Sequence, residues 1–145
     1  MHFGYMSSIG TEDEFDRQGG SAAMVDANMP VGESQTLGLR TIGSGARGVA
    51  GNERYRVAYG PMYCLQLNSS DLQIAAGQFQ DSTVVAEKSQ RSQGLFALVG
   101  LARSWEVTRN VFVSWTAVSS WQNTGISRGA FIGLKVLTSP PRVTP

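Results

Sequence analysis

The sequence predicts an all-β fold: one domain of antiparallel strands, closed as a barrel or stacked as a sandwich, with extended terminal arms. Three observations predict it. Apolar and polar residues alternate with period two over several segments, which sends successive side chains to opposite sheet faces. Seventeen glycines are spread along 145 residues, some inside apolar runs, where each would cost about 1 kcal/mol in a helix. Short polar breaks of Asn, Asp and Ser separate the alternating segments, as hairpin turns require.

Taken in order, Phe3 to Ile9 and Ser21 to Met29 carry weak alternation, and Thr36 to Ile42 is a short strand candidate. Gly43 to Glu53 reads as a long loop. In Arg56 to Leu67, Val57, Tyr59, Tyr63, Leu65 and Leu67 oppose Arg56, Ala58, Met62, Cys64 and Gln66. Asn68 to Asp71 makes the next turn, and Leu72 to Phe79 the next strand. Ser82 to Gly94 reads as a second long loop, with Ser82 to Gln90 the best helix candidate in the chain. Leu95 to Trp105 is apolar on both faces in its middle, as a strand covered twice would be. After the break Thr108-Arg109-Asn110, Val111, Val113, Trp115 and Ala117 oppose Phe112, Ser114, Thr116 and Val118. Gln122 to Gly129 is an intermediate loop, and in the last strand Ala130, Ile132, Leu134 and Val136 oppose Phe131, Gly133 and Lys135. The domain is expected over residues 1–137. Residues 138–145, with three of the five prolines, form an extended arm.

Composition narrows the function. Charged residues are 16% and the net charge is +1, which excludes a strongly basic nucleic-acid binder, and no nucleic-acid partner is expected. One cysteine, Cys64, permits no internal disulfide and reads as a buried structural thiol. The single histidine, His2, leaves little for triad or metal chemistry, so no catalytic residue, metal site or cofactor is expected. No run approaches the roughly 18 apolar residues of a membrane helix. The first ten residues lack the basic start and apolar run of an export signal, which implies a chain that stays where it is made.

Several motifs take a plain reading. Gly43-Ser44-Gly45-Ala46-Arg47-Gly48 spells G-x-G-x-x-G, but no helix pattern follows, so it reads as a flexible surface loop. Glu12, Asp13, Glu14 and Asp16 lack the ligand spacing of a calcium loop and read as a solvated face. Asn68-Ser69-Ser70 matches a glycosylation acceptor and reads as a turn. Arg47, Arg54, Arg56, Arg91, Arg103, Arg109 and Arg128 outnumber the lysines Lys88 and Lys135, with directed interface contacts or ordinary surface charge as the alternatives. For Trp105, Trp115 and Trp121, core packing or a subunit contact is expected ahead of a sugar platform or an interfacial belt.

One resemblance stands on particular residues. Gly60-Pro61-Met62-Tyr63 within a strand, the polar turn at Asn68, the glycine-bearing strand Leu72 to Phe79, the hairpin Gly94 to Trp121 and the closing strand Gly129 to Val136 are spaced as in small eight-stranded outer-membrane barrels of the OmpX/Ail/Lom type. The resemblance covers Tyr55 to Val136. It implies an apolar face toward lipid and an interior holding Arg56, Gln66, Gln73, Ser114, Thr116 and Lys135. It also places Arg103 on the lipid side with Leu95, Ala97, Val99 and Leu101.

Three functions follow as expectations. The first is a non-enzymatic assembly protein of a virus particle, such as a capsid decoration or cement protein or a head–tail fitting. It would be homo-oligomeric, located in the virion after assembly in the host cytoplasm, and partnered by its own copies or a shell protein. Its contacts would run through free strand edges and arms, with Trp105, Trp115, Trp121, Arg103, Pro140, Pro141 and Arg142 at the interface. The second is an outer-membrane barrel acting as adhesin or scaffold, the one reading in which a membrane is a partner. The third is a soluble barrel that binds a small ligand.

Overall fold

The computed structural model describes residues 2–9, 20–47, 52–85, 88–122 and 125–136, with the side chains of 2–9 and Gly125 left out of account. Eight strands follow one another: β1 His2–Ile9, β2 Gly20–Pro30, β3 Gln35–Arg47, β4 Glu53–Leu67, β5 Ser70–Val85, β6 Lys88–Thr108, β7 Val111–Gln122 and β8 Gly125–Val136. Each pairs antiparallel with the next, and β1 pairs with β8, so the sheet closes as an up-and-down barrel. This decides between the two expected architectures: the sandwich is not formed. Closure also removes the free edges along which assembly by strand addition was expected, because the outermost strands pair with each other.

The strands are longer than their alternating cores. The expected loop Gly43 to Glu53 is strand up to Arg47 and again from Glu53, so the glycine motif lies largely within β3 rather than in a flexible loop. The expected helix Ser82 to Gln90 is instead the end of β5 and the start of β6, and most of the loop expected at Gln122 to Gly129 is strand. The reason is shared. Ladder hydrogen bonds continue past the point where side chains meet the core, and there polar residues such as Ser92 and Gln93 are tolerated.

One end of the barrel carries tight connections and both strand termini. Asn68–Ser69 joins β4 to β5, and Arg109–Asn110 joins β6 to β7. Asn110 adopts φ 67°, the left-handed conformation that asparagine tolerates best after glycine. The β2–β3 connection Val31–Ser34 is closed by donation from the Val31 N–H to the Gln35 carbonyl at 3.0 Å. We call this the turn end, and the opposite one the loop end.

The ladder climbs as it goes round. Partners run from His2 at the turn end of β1 through Met24, Ile42, Ala58 and Phe79 to Gly94, in the loop-side half of β6. The strands are therefore tilted, as closure demands. Mid-wall, Pro61 has no N–H to give the ladder, and β4–β5 pairing passes from Tyr59–Gln78 to Met62–Ala75. Gly60 and Gly77 face each other across this gap. A Cβ on Gly60 would stand 2.0 Å from the Ala76 carbonyl oxygen, and one on Gly77 would stand 2.1 Å from that of Tyr59. Only glycine allows the two backbones to pass so close.

Candidate functional site: the two faces of the barrel wall

Alternation sorts β2 to β8 into an inner and an outer row. The inner row packs the lumen. Met24, Ile42, Met62, Phe79, Phe96, Leu98, Val118 and Phe131 are buried and, with small residues, form one apolar cluster. Eight strands enclose just the width that side chains fill. Phe131 and Met24 are wholly inaccessible, so the lumen is a packed core rather than a water-filled channel.

Charge enters the lumen in paired sets, with Arg40 Nη1 left buried without a hydrogen-bond partner. Arg40 is 0% exposed. Its Nε and Nη2 donate to the two Asp26 carboxylate oxygens at 2.7 Å each, and Nη2 also donates to Gln73 Oε1 at 2.7 Å. Toward the loop end, Asp81 accepts from Arg54 Nη2 at 2.7 Å and from Arg56 Nε and Nη2 at 2.5 and 2.7 Å. Arg56 also donates to Gln122 and lies over the Phe79 ring at 4.9 Å. At the turn end Lys135 approaches Asp71 at 3.6 Å. A carboxylate that receives a bidentate guanidinium in a closed lumen keeps its charge at the least desolvation cost.

Residue by residue, the structure sorts the expectations about this face. Gln73, Ser114 and Thr116 are buried in the lumen, and Arg56 reaches into it. Gln66 and Lys135 are exposed at the turn end, where the lumen opens. Cys64 is buried, as expected of a structural thiol. Arg40 and Asp26 carried no expectation. Their signal was a lone charged residue on the same face as apolar neighbours, Arg40 beside Ile42 and Asp26 beside Met24.

The outer row is the reverse of an ordinary protein surface. Val25, Leu39, Val57, Tyr59, Ile74, Leu95, Leu101, Trp115, Ile132 and Leu134 are all exposed, with Leu95 and Ile132 each 64% accessible. Exposed apolar side chains occur on every strand from β2 to β8, with Arg103 and Arg128 among them. Along β8 the outward run from Ile126 to Leu134, apolar but for Arg128, rises about 20 Å along the barrel axis at ordinary strand rise and tilt. Ordinary soluble monomers rarely show a contiguous apolar patch beyond a few hundred Å².

Trp105, Trp115 and Trp121 all stand on this outer row, each about half exposed. Core packing is therefore corrected for all three. The positions alternating with them hold the smaller, inward-facing Ser104, Ser114, Thr116 and Ser120, in a lumen already filled by Phe79, Phe96 and Phe131. Arg103 and Arg128 are exposed on the same outer surface. Beyond the band at the loop end, Arg47 Nη2 donates to Glu53 Oε1 at 2.7 Å and Tyr55 donates to Glu53 Oε2 at 2.8 Å. The Arg47 and Tyr55 hydrogen bonds hold the Glu53 carboxyl below its usual range. The expected arm with Pro140, Pro141 and Arg142, and the acidic cluster from Glu12 to Asp16, lie outside the described residues.

Among the described residues, no three His, Cys, Asp or Glu side chains gather to hold a metal ion, and no helix is long and apolar enough to cross a membrane. No protein-family model matches the chain, and none of the curated proteins resembles it at a significant level.

Proposed function

We propose that the protein is a membrane β-barrel of the bacterial outer-membrane kind, serving as a surface scaffold or adhesin rather than as a pore. The observation that carries this reading is the outer row of the wall: large apolar side chains exposed on β2 to β8, with Arg103 and Arg128 among them, around a lumen already filled by an apolar cluster and paired charges. In hydrocarbon every backbone polar group must be satisfied within the protein, and a closed barrel does so with no edge left over. The packed lumen speaks against conduction. At the loop end β6 rises past β7: the β6–β7 register begins at Phe96–Gln122, while β6 pairs with β5 as far as Lys88. A raised sheet of this kind offers a surface beyond the bilayer, which suits an adhesin or scaffold.

Assembly into a particle would use the same outer band, with protein in place of lipid. The spread of exposed apolar side chains over β2 to β8 favours lipid, since a neighbouring subunit covers one side and a bilayer covers all of them.

The test is the state of the full chain in buffer, with and without detergent. The expected result is dependence on detergent or lipid, with a gel mobility that shifts on boiling as the barrel opens. A monodisperse species in plain buffer overturns the proposal. If that species is an oligomer of copies, the particle reading replaces it.

A further inference from the structure

Arg103 is a charge on the wrong side of the wall. It is exposed on the outer face of β6, in line with the apolar Val99 and Leu101. No ion pair or hydrogen bond engages it among the described residues. What surrounds it is aromatic. Trp105 follows on the same face, and the Arg103 guanidinium carbon lies 5.5 Å from the centre of its ring. Trp115 is its ladder partner on β7 and is also outward and exposed. Directly paired residues on one sheet face stand about 5 Å apart at Cβ, so a second indole is the cross-strand neighbour of Arg103 on the same face.

We propose that Arg103, with Trp105 and Trp115, binds the phosphodiester of a phospholipid in the leaflet at the turn end. This rests on the membrane reading above and names a ligand for the barrel's outer face. Four physical arguments support it. An arginine on the lipid face costs about 2–4 kcal/mol at mid-bilayer and much less at the interface, so it needs a counter-ion at headgroup depth. Arg103 lies near the turn end of β6, which finishes at Thr108. Guanidinium presents paired N–H donors that match two phosphate oxygens at once. Indoles favour the same depth, and the acyl chains below would lie along Leu101 and Val99. Arg128 provides the contrast. It is an outward arginine toward the loop end, its same-face neighbours on β8 are Ile126 and Ala130, and its β7 partner is Ser119.

The experiment is native mass spectrometry of the full chain released from detergent, with phosphatidylglycerol titrated in. Wild-type protein should retain one lipid. Arg103→Gln should weaken that adduct about tenfold, as loss of a charge-assisted contact does, with Arg103→Lys intermediate and Arg128→Gln near wild type. Inorganic phosphate at millimolar concentration should not displace the lipid, because the chains supply part of the contact. An unchanged adduct in Arg103→Gln, an equal loss in Arg128→Gln, or full displacement by inorganic phosphate overturns the proposal. The boiling-dependent gel shift is recorded for every variant. A shift that persists while the adduct ignores Arg103 defeats this inference alone; a wild-type chain that needs no detergent defeats the membrane reading beneath it.

Discussion

Replacing Asp26 with alanine would strand the Arg40 guanidinium inside the lumen. Arg40 is wholly inaccessible, while the Asp26 side chain retains 10% exposure, so the cation has the less solvent to fall back on. Two of its hydrogen bonds, both 2.7 Å, go to Asp26, leaving only the bond to Gln73. Removing one partner of a buried ion pair costs about 3–5 kcal/mol, because the remaining charge is uncompensated. The low end, about 3 kcal/mol, is expected here, since Gln73 still accepts one bond. Arg40→Met should cost a similar amount by leaving Asp26 unpaired. The double variant, with both charges gone, should cost little more than either single change, giving a coupling of about 2–3 kcal/mol. Urea unfolding of the barrel in lipid vesicles, followed by tryptophan emission, measures all four species. If the two single losses simply add in the double variant, the groups act independently, and the account of the lumen as a paired-charge core is wrong.

Two further perturbations probe the wall. Ala130→Arg, on the outer face midway along β8, should destabilise the lipid-inserted barrel by about 2–4 kcal/mol, whereas the same change at Val136 near the turn end should cost about 1 kcal/mol or less. Equal costs at the two depths would argue that no bilayer covers the wall, and the same vesicle unfolding assay reads both. Gly77→Val should disrupt β4–β5 pairing, since its Cβ would meet the Tyr59 carbonyl at 2.1 Å, whereas Ala76→Val, one residue away on the open outer face, should be nearly silent. The boiling-dependent gel shift, lost in the first and kept in the second, checks this.

The sequence made the middle of the wall legible and the ends illegible. Strands β4, β7 and β8 were readable because each must serve two environments at once, and a period of two is the only pattern that does so. Their faces fall as the alternation implies, Val113 and Trp115 outward against Ser114 and Thr116 inward. Beyond the band both faces meet water, the pattern dissolves, and Ser82 to Gln90 looks as much like a helix as like the paired strand it is. Closure was legible only as one of two alternatives, barrel or sandwich, because β1 alternates weakly and its partner β8 lies at the far end of the sequence. The outward tryptophans illustrate a different limit. Periodicity says which residues share a face, never which face is the inside. Here serines and threonines alternate with the indoles and share the lumen with Phe79, Phe96 and Phe131, which the pattern of β7 alone does not reveal.

The β1–β8 seam imposes an order on how the molecule can be made. Strand zipping from β2 through β7 can proceed between neighbours, but the last joint waits for segments more than a hundred residues apart, Ser8 meeting Ser127 and His2 meeting Gly133. Until that meeting, two lengths of backbone lie unmated, and distant contacts of this kind come slowly. The β1–β8 joint is therefore expected to form last, after the hairpins between neighbouring strands are in place.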